Sequence, residues 1–478
     1  MAEVFVRRNA WDPEAGEILR WYATGVGAMK ERDPENPTSW TYQAAMHGSS
    51  VEPAQPLWNE CKHGSWHFLV WHRMYLYYFE QIVRQAVVEA GGPEDWALPY
   101  WNYGLGGEQA TIPAPFRSPA EESNPLFVEQ RAPGINDEEE PSQIAPEIGS
   151  DAAALERPQF AGQFEFGGGE AQPEFFFGEA GIVEQTPHGV VHSTIGGPGG
   201  WMSSFQTAAQ DPIFWLHHAN IDRIWATWNA NGGADPEAGE WLDQEFEFFD
   251  VNGGTVRLKC SETLQTIPDL NYTYDSLPEP APEPEPEPEP EGAVVEPAEV
   301  PQPKVVGASE EQVTLVGNEA AVPVEIDPRA RQEVSEATRS DDPRRVVLNV
   351  EDIEAEVNPA SVYGIYVNLP ENPDGKTLEA HHAGNLSFFG IEQARSPKGE
   401  EKAHPLRVSV EVGQLLDRLG IGEDEEIKVS FLPINLIRPE EGPKHGIAGS
   451  RRGVAAETAT EGEDPPVQIG RVSLSVTK

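Results

Sequence analysis

The stretch Asp211-Pro212-Ile213-Phe214-Trp215-Leu216-His217-His218-Ala219-Asn220-Ile221-Asp222 sets two adjacent histidines inside an apolar run. Proline near the start suits the first turn of a helix. Phe214, Ile221, Trp225 and Trp228 recur close to a 3.6-residue period, so Pro212 to Trp228 reads as a helix. A second run, opening Phe68-Leu69-Val70-Trp71-His72-Arg73, continues in good helix formers to Ala90 and stops at Gly91-Gly92-Pro93. His72 sits inside this helix. His63 lies nine residues earlier, and at about 100° per residue a continuous helix would turn it to the opposite side. His63 is therefore placed on a preceding loop, bent back toward His72, with His47 a further 16 residues upstream. His188 and His192 are four apart, so on a helix they share one face and can grip one ion.

Imidazole suits copper, and three nitrogen ligands per ion leave an open face for dioxygen. Reducing dioxygen to peroxide takes two electrons, and each Cu(I) gives one, which explains a need for two ions. A zinc hydrolase built on the His188/His192 pair alone leaves the other histidines without a role.

The run from Pro278 to Glu291 alternates proline with glutamate. Fixed φ and repelling charges predict an extended, semi-rigid spacer. It divides residues 1–277, with all 13 tryptophans and eight of the 12 histidines, from residues 306–478, with 278–305 as linker. The first part reads as mainly α-helical, a helix bundle around a two-metal site, with Gly104 to Phe177 mostly loop. The second alternates like strands at Arg345–Val350, Ser361–Leu369, Leu406–Val412, Glu426–Pro433 and Val467–Val476, with one short helix at Gly413–Leu419. This predicts a β-sandwich or barrel-like C-terminal domain.

A net charge of −47 repels nucleic acid and anionic membranes. Two cysteines, Cys61 and Cys260, allow neither a disulfide framework nor a thiolate cluster. The first residues lack the apolar core of a secretory signal, and no stretch approaches the roughly 20 apolar residues of a membrane span. The chain reads as soluble and cytoplasmic.

With these residues in place, the chain resembles the tyrosinases and polyphenol oxidases, proteins with a type 3 pair of coppers. The matching residues are His63, Phe68, Trp71, His72, Arg73 and Glu80, then Asp211, Pro212, Phe214, His218 and Asp222, closing on Tyr272 and Tyr274. The resemblance implies two copper ions, one on His47, His63 and His72, the other on His188, His192 and His218. It implies dioxygen as co-substrate and oxidation of catechols to o-quinones. An o-aminophenol oxidase and a haemocyanin-like oxygen carrier share the same copper set. His67 and His217 fall off the signatures; His67 reads as packing, His217 as a neighbour of the metal, and His381 and His382 as surface residues.

Further roles follow from the resemblance. Cys61 stands where fungal tyrosinases and molluscan haemocyanins bond cysteine sulfur to a histidine ring, here His63. Glu184, four residues before His188, is where plant-type enzymes hold a water that helps deprotonate the phenol, and Glu179 is an alternative. Phe205 stands at the place of an aromatic gate. Gly189 replaces the asparagine often found in efficient monophenol hydroxylases, which leaves catechol oxidation untouched. The elements around Ser361–Asn368, Ala383–Phe389 and Glu426–Pro433 resemble the C-terminal domain of latent plant polyphenol oxidases. That domain covers the copper entrance and inserts a side chain, here Phe388 or Phe389, and a cut in the linker would release it.

Overall fold

The computed structural model describes residues 4–170, 178–277, 303–339, 344–356, 358–359, 361–392, 405–421, 426–437 and 465–477. The proline–glutamate run lies outside them. Strand Lys304–Ala308 begins within the last residues assigned to the linker.

Five helices frame the first part: α1 (Ala15–Lys30), α2 (Trp40–His47), α3 (Phe68–Glu89), α4 (Val190–Gly196) and α5 (Ile213–Ala230). Helix α3 is buried on every side from Phe68 to Leu76 and packs between α1 and α5. Such an all-round apolar helix belongs at the centre of a bundle. It ends where Gly91 takes φ +85°, a conformation that costs glycine little. Between α3 and α4 the described chain forms only short helical turns, as its glycine and proline content predicts.

Two small sheets close this part. Strand β1 (Phe5–Arg7) pairs in parallel with β4 (Tyr272–Tyr274), in a register that sets Arg7 beside Tyr274, and β2 (Glu245–Phe249) pairs with β3 (Thr255–Lys259). No described helix is long and apolar enough to cross a membrane.

The second part is one antiparallel sheet of nine strands, β5 (Lys304–Ala308), β6 (Val313–Leu315), β7 (Ala320–Ile326), β8 (Arg345–Ala355), β9 (Val362–Val367), β10 (His382–Leu386), β11 (Leu406–Glu411), β12 (Glu426–Ile434) and β13 (Val467–Thr477). The order runs β10-β9-β12-β7-β5-β13-β8-β11, with β6 also on β13. The two end strands meet where a Cβ on Gly384 would lie 2.7 Å from Val410 Cγ1, so the sheet curls nearly into a barrel.

Four of these strands are absent from the sequence reading. β10 is His-Ala-Gly-Asn-Leu, poor in β-formers. β7 carries Pro323, which argues against a strand interior. It fits because β7 pairs with β5 only at Ile326 and Glu325, leaving that side of Pro323 without a ladder partner. Among the described residues the helix expected at Gly413–Leu419 is joined by two more, Arg331–Ala337 and Gly375–His381. His381 and His382 are not surface residues. Both are half-buried, His381 Nδ1 lying 2.8 Å from Val367 O and His382 Nε2 3.0 Å from Asn385 Oδ1.

Each part has its own apolar core. Three residues of the second part, Val362, Phe389 and Ile434, join the core of the first.

Candidate dicopper centre

Among the described residues, two groups of metal-competent side chains form inside the helical part, with ligand atoms within 4.8 Å of one another: His47, Cys61, His63 and His72, and His188, His192, His217 and His218. His47 ends α2, His72 lies one turn into α3, and His63 is on the loop between, as its spacing predicts. His192 is in α4 and His218 in α5. His188 is not on a regular helix with His192. It sits in a broad turn, Glu184–Gly189, where Thr186 is extended (φ −138°, ψ 123°). The two rings still approach to 4.7 Å.

The tautomers of five rings follow from their anchors. Nδ1 faces a carbonyl in His47 (Phe205 O, 3.1 Å), His72 (Phe68 O, 2.8 Å), His188 (Glu184 O, 3.1 Å) and His192 (Met202 O, 2.8 Å). In His63 it faces the Glu184 carboxylate at 2.9 Å. Each Nδ1 therefore donates and each Nε2 presents a lone pair. His63 Nε2 then meets His47 Nε2 at 3.4 Å, and His192 Nε2 meets His218 Nε2 at 3.1 Å. The His63 and His47 lone pairs held that close repel unless a cation lies between them. His188 Nε2 is buried with no hydrogen-bond partner. The residues present fit a pair of copper ions.

Burial keeps the rings neutral, as ligands must be. It lowers His47 to about 4, and holds His63, His72, His188, His192 and His218 well below the ordinary range, with neighbouring imidazoles adding to the effect.

The signature residues outside the two histidine groups hold those within them. Phe68 and Phe214 fill the space between the groups, with Phe68 4.6 Å from His188 and Phe214 4.2 Å from His218. Asp222 accepts Arg73 Nε at 2.6 Å, Arg7 Nη1 at 3.2 Å and the hydroxyls of Tyr272 and Tyr274, both at 2.5 Å. Arg7 Nε also donates to Glu80 at 2.7 Å. This fully buried knot ties α3 to α5 and to the β1–β4 pair. Asp211 is gripped by Arg131 through two bonds, 2.7 and 2.8 Å, and receives Ile213 N at the start of α5. Arg7 and Arg131 escape the sequence reading, because nothing local marks an arginine whose carboxylate partners lie 73 or more residues away.

Glu184 Oε1 accepts from Gly64 N at 2.8 Å as well as from His63, while Oε2 is buried without a partner. Burial pushes this carboxyl well above the usual range. Glu179 lies elsewhere, against Gly169 and near Arg407, and burial raises it to about 7. Phe205 stacks on His63 at 4.4 Å and 24°. Cys61 is in no disulfide, and its Sγ lies 3.4 Å from His72 Nε2. His67 packs edge-on against Trp66 and Phe246. His217 is fully buried within the second group.

The two plug candidates separate cleanly. Phe388 turns inward against Tyr363 in the β core. Phe389 lies parallel to His192 at 4.0 Å and 9°, and meets Phe205 at 4.4 Å. Ser387 sets its position: Oγ donates to Gly189 O at 2.8 Å, lies 2.9 Å from Ser193 Oγ, and accepts Phe389 N at 3.2 Å. A Cβ on Gly189 would sit 3.6 Å from Ser387 Oγ.

Comparison with known proteins agrees with this geometry. Residues 37–231 match the common central domain of tyrosinase, 235–286 the polyphenol oxidase middle domain, and 302–446 a domain of unknown function. A tyrosinase of Hahella sp. strain CCB-MM4 is 32% identical over 464 residues, covering 89% of this chain and 95% of that protein. The chain belongs to the tyrosinase family. It is a copper oxidoreductase with a two-copper centre. The latent chloroplastic polyphenol oxidase of Prunus armeniaca is 27% identical over 451 residues, 87% of this chain and 71% of that one. The latent tyrosinase of apple shares the fold across both parts, with a TM-score of 0.62 at 22% identity, covering 100% of this chain and 98% of that one. This member of the family therefore carries an intramolecular C-terminal domain over a helical copper part.

Proposed function

We propose that the chain oxidises catechols to o-quinones with dioxygen, and that its C-terminal domain keeps it latent. The single observation that carries this reading is the slot filled by the Phe389 ring, bounded by His192 and Phe205 beside both histidine groups. A flat ring stacked there is the shape of a phenol, and aromatic faces favour such stacking.

His47, His63 and His72 would hold one copper, and His188, His192 and His218 the other. Bound there, the copper pair and dioxygen take up the electrons that leave the catechol. The chain's own part is to position and deprotonate. A phenol has a pKa near 10, so a base assists at neutral pH. Glu184 Oε2, buried and unpartnered beside His63, is the acceptor we assign, directly or through one water. Phe205 would orient the ring. Gly189 brings no amide to help Glu184, which favours catechols over monophenols.

Oxygen uptake tests the reading. Catechol should be consumed faster than a matched monophenol, and a form cut between residues 278 and 302 and freed of its tail should exceed the full chain. Equal rates for cut and uncut protein would overturn latency. No uptake with catechol by either form would overturn the activity.

A further inference from the structure

We infer that the Gly189 carbonyl and the Ser193 hydroxyl form a subsite for an alcohol on the substrate's side chain. The preferred catechol then carries a chain of about three carbons ending in a hydroxyl. This names the substrate class of the catechol reading above and rests on it. The C-terminal domain fills the slot with two groups, not one. Beside the Phe389 ring it brings Ser387, whose Oγ makes three contacts: Gly189 O at 2.8 Å, Ser193 Oγ at 2.9 Å and Phe389 N at 3.2 Å. The last of these is a local turn. The other two cross to the helical part, one to the end of the Glu184–Gly189 turn and one to α4, at the fully buried residue after His192.

The directions of these bonds are fixed. A carbonyl only accepts, so the single proton of Ser387 goes to Gly189 O. Its oxygen is left to accept, from Phe389 N on one side and from the Ser193 hydroxyl on the other. The helical part thus offers an acceptor and a donor side by side, and a neutral hydroxyl answers both. A carboxylate has no proton for Gly189 O, and an ammonium has no lone pair for Ser193. The covalent path sets the chain length. From the Phe389 ring it runs through Cβ and Cα to N, which lies 3.2 Å from Ser387 Oγ. A substrate ring stacked on His192 as Phe389 is reaches the same pair with about three carbons and an oxygen. When the domain leaves, Gly189 O and Ser193 Oγ lose this partner, and a substrate that leaves them unpaired forfeits those bonds. Ser193 is thereby a specificity-determining residue.

The test compares catechols carrying hydroxypropyl, propyl or carboxyethyl chains, para to one hydroxyl, by oxygen uptake with copper-loaded full chain. Ser387→Gly combined with Phe389→Ala in that chain empties both positions and serves as the open form. The ratio of kcat/KM between two substrates does not depend on how much enzyme is folded, loaded or unplugged, so the unaltered chain reads the same ratio. The hydroxypropyl compound should exceed the propyl one by about 3- to 10-fold, the worth of a neutral hydrogen bond, and the carboxyethyl compound should be the poorest. Ser193→Ala should bring the first ratio toward one. Equal kcat/KM for the hydroxypropyl and propyl compounds overturns the inference. So does a preference unchanged by Ser193→Ala, or a carboxyethyl compound oxidised as well as the hydroxypropyl one. Plain catechol separates the two readings: if neither form oxidises it, the activity itself fails, and if it is oxidised while the chains are not told apart, only the subsite fails.

Discussion

Six imidazoles held neutral in an apolar interior make the site both a copper trap and a pH-sensitive element. An unfolded histidine titrates near 6.5, whereas burial holds His47 at about 4 and the other five rings of the proposed ligand set well below the ordinary range. Between those values the unfolded chain binds more protons than the folded one, so stability is full above pH 6.5 and falls as the pH drops toward 4. Glu184 has the opposite sign, since burial raises it, but it is one group against six rings. Thermal melting of copper-free protein should therefore drop steeply between pH 6.5 and 4, and a flat profile would show that the rings protonate without unfolding. At the same scale we propose that Cys61 is bonded through sulfur to His63, which would lock that ring as an outer contact normally does. The peptide containing both residues should lack two hydrogen atoms in copper-loaded enzyme; an alkylatable Cys61 there would refute the bond.

At the scale of elements, Asp222 does the most. It joins α5 to Arg73 of α3 and to Arg7, Tyr272 and Tyr274 of the β1–β4 pair, with no solvent contact to dilute the charges. Breaking a buried ion pair by removing one partner costs about 3–5 kcal/mol. Asp222→Asn should lower stability to denaturant by that order, and copper affinity with it, because α3 and α5 carry His72 and His218. A loss under about 1 kcal/mol, the usual worth of an exposed pair, would mean that the aromatic packing alone aligns these helices.

For the whole molecule, the question is what holds the two parts together. Across their boundary run Arg157 to Glu411 at 3.0 Å, Arg345 to Glu165, Asn385 Nδ2 to Glu147 O at 3.0 Å, and a backbone pair between Gln143 and Ile437. Arg157 and Glu411 are each about a quarter exposed, and such pairs contribute at most about 1 kcal/mol. Phe389 is 2% exposed, and removing a ring from such a place costs about 3–5 kcal/mol. The aromatic plug should therefore outweigh the ion pairs. Phe389→Ala should raise catechol oxidation by the full chain several-fold with the β domain intact. Phe388→Ala should instead destabilise that domain and leave the slot filled. The reverse pattern would make Phe388 the plug. High salt should have a smaller effect than Phe389→Ala.

Much of this was legible in the sequence, for identifiable reasons. Ligand spacing and helix period are local, so α3 and α5 lie within two residues of their expected bounds and the two histidine groups form as expected. Strands poor in β-formers or interrupted by proline, such as β10 and β7, were not legible, because sheet partners stabilise them rather than their own residues. The sequence alone determined a two-copper helical part joined to a β-rich part, since those follow from residue type and periodicity. Only the tertiary structure decided that Phe389 rather than Phe388 reaches the histidines, that Arg7 and Arg131 neutralise Asp222 and Asp211, and that Ser387 meets Ser193. Those contacts join residues far apart along the chain, and which of two adjacent side chains faces a partner is set by packing, not by sequence distance.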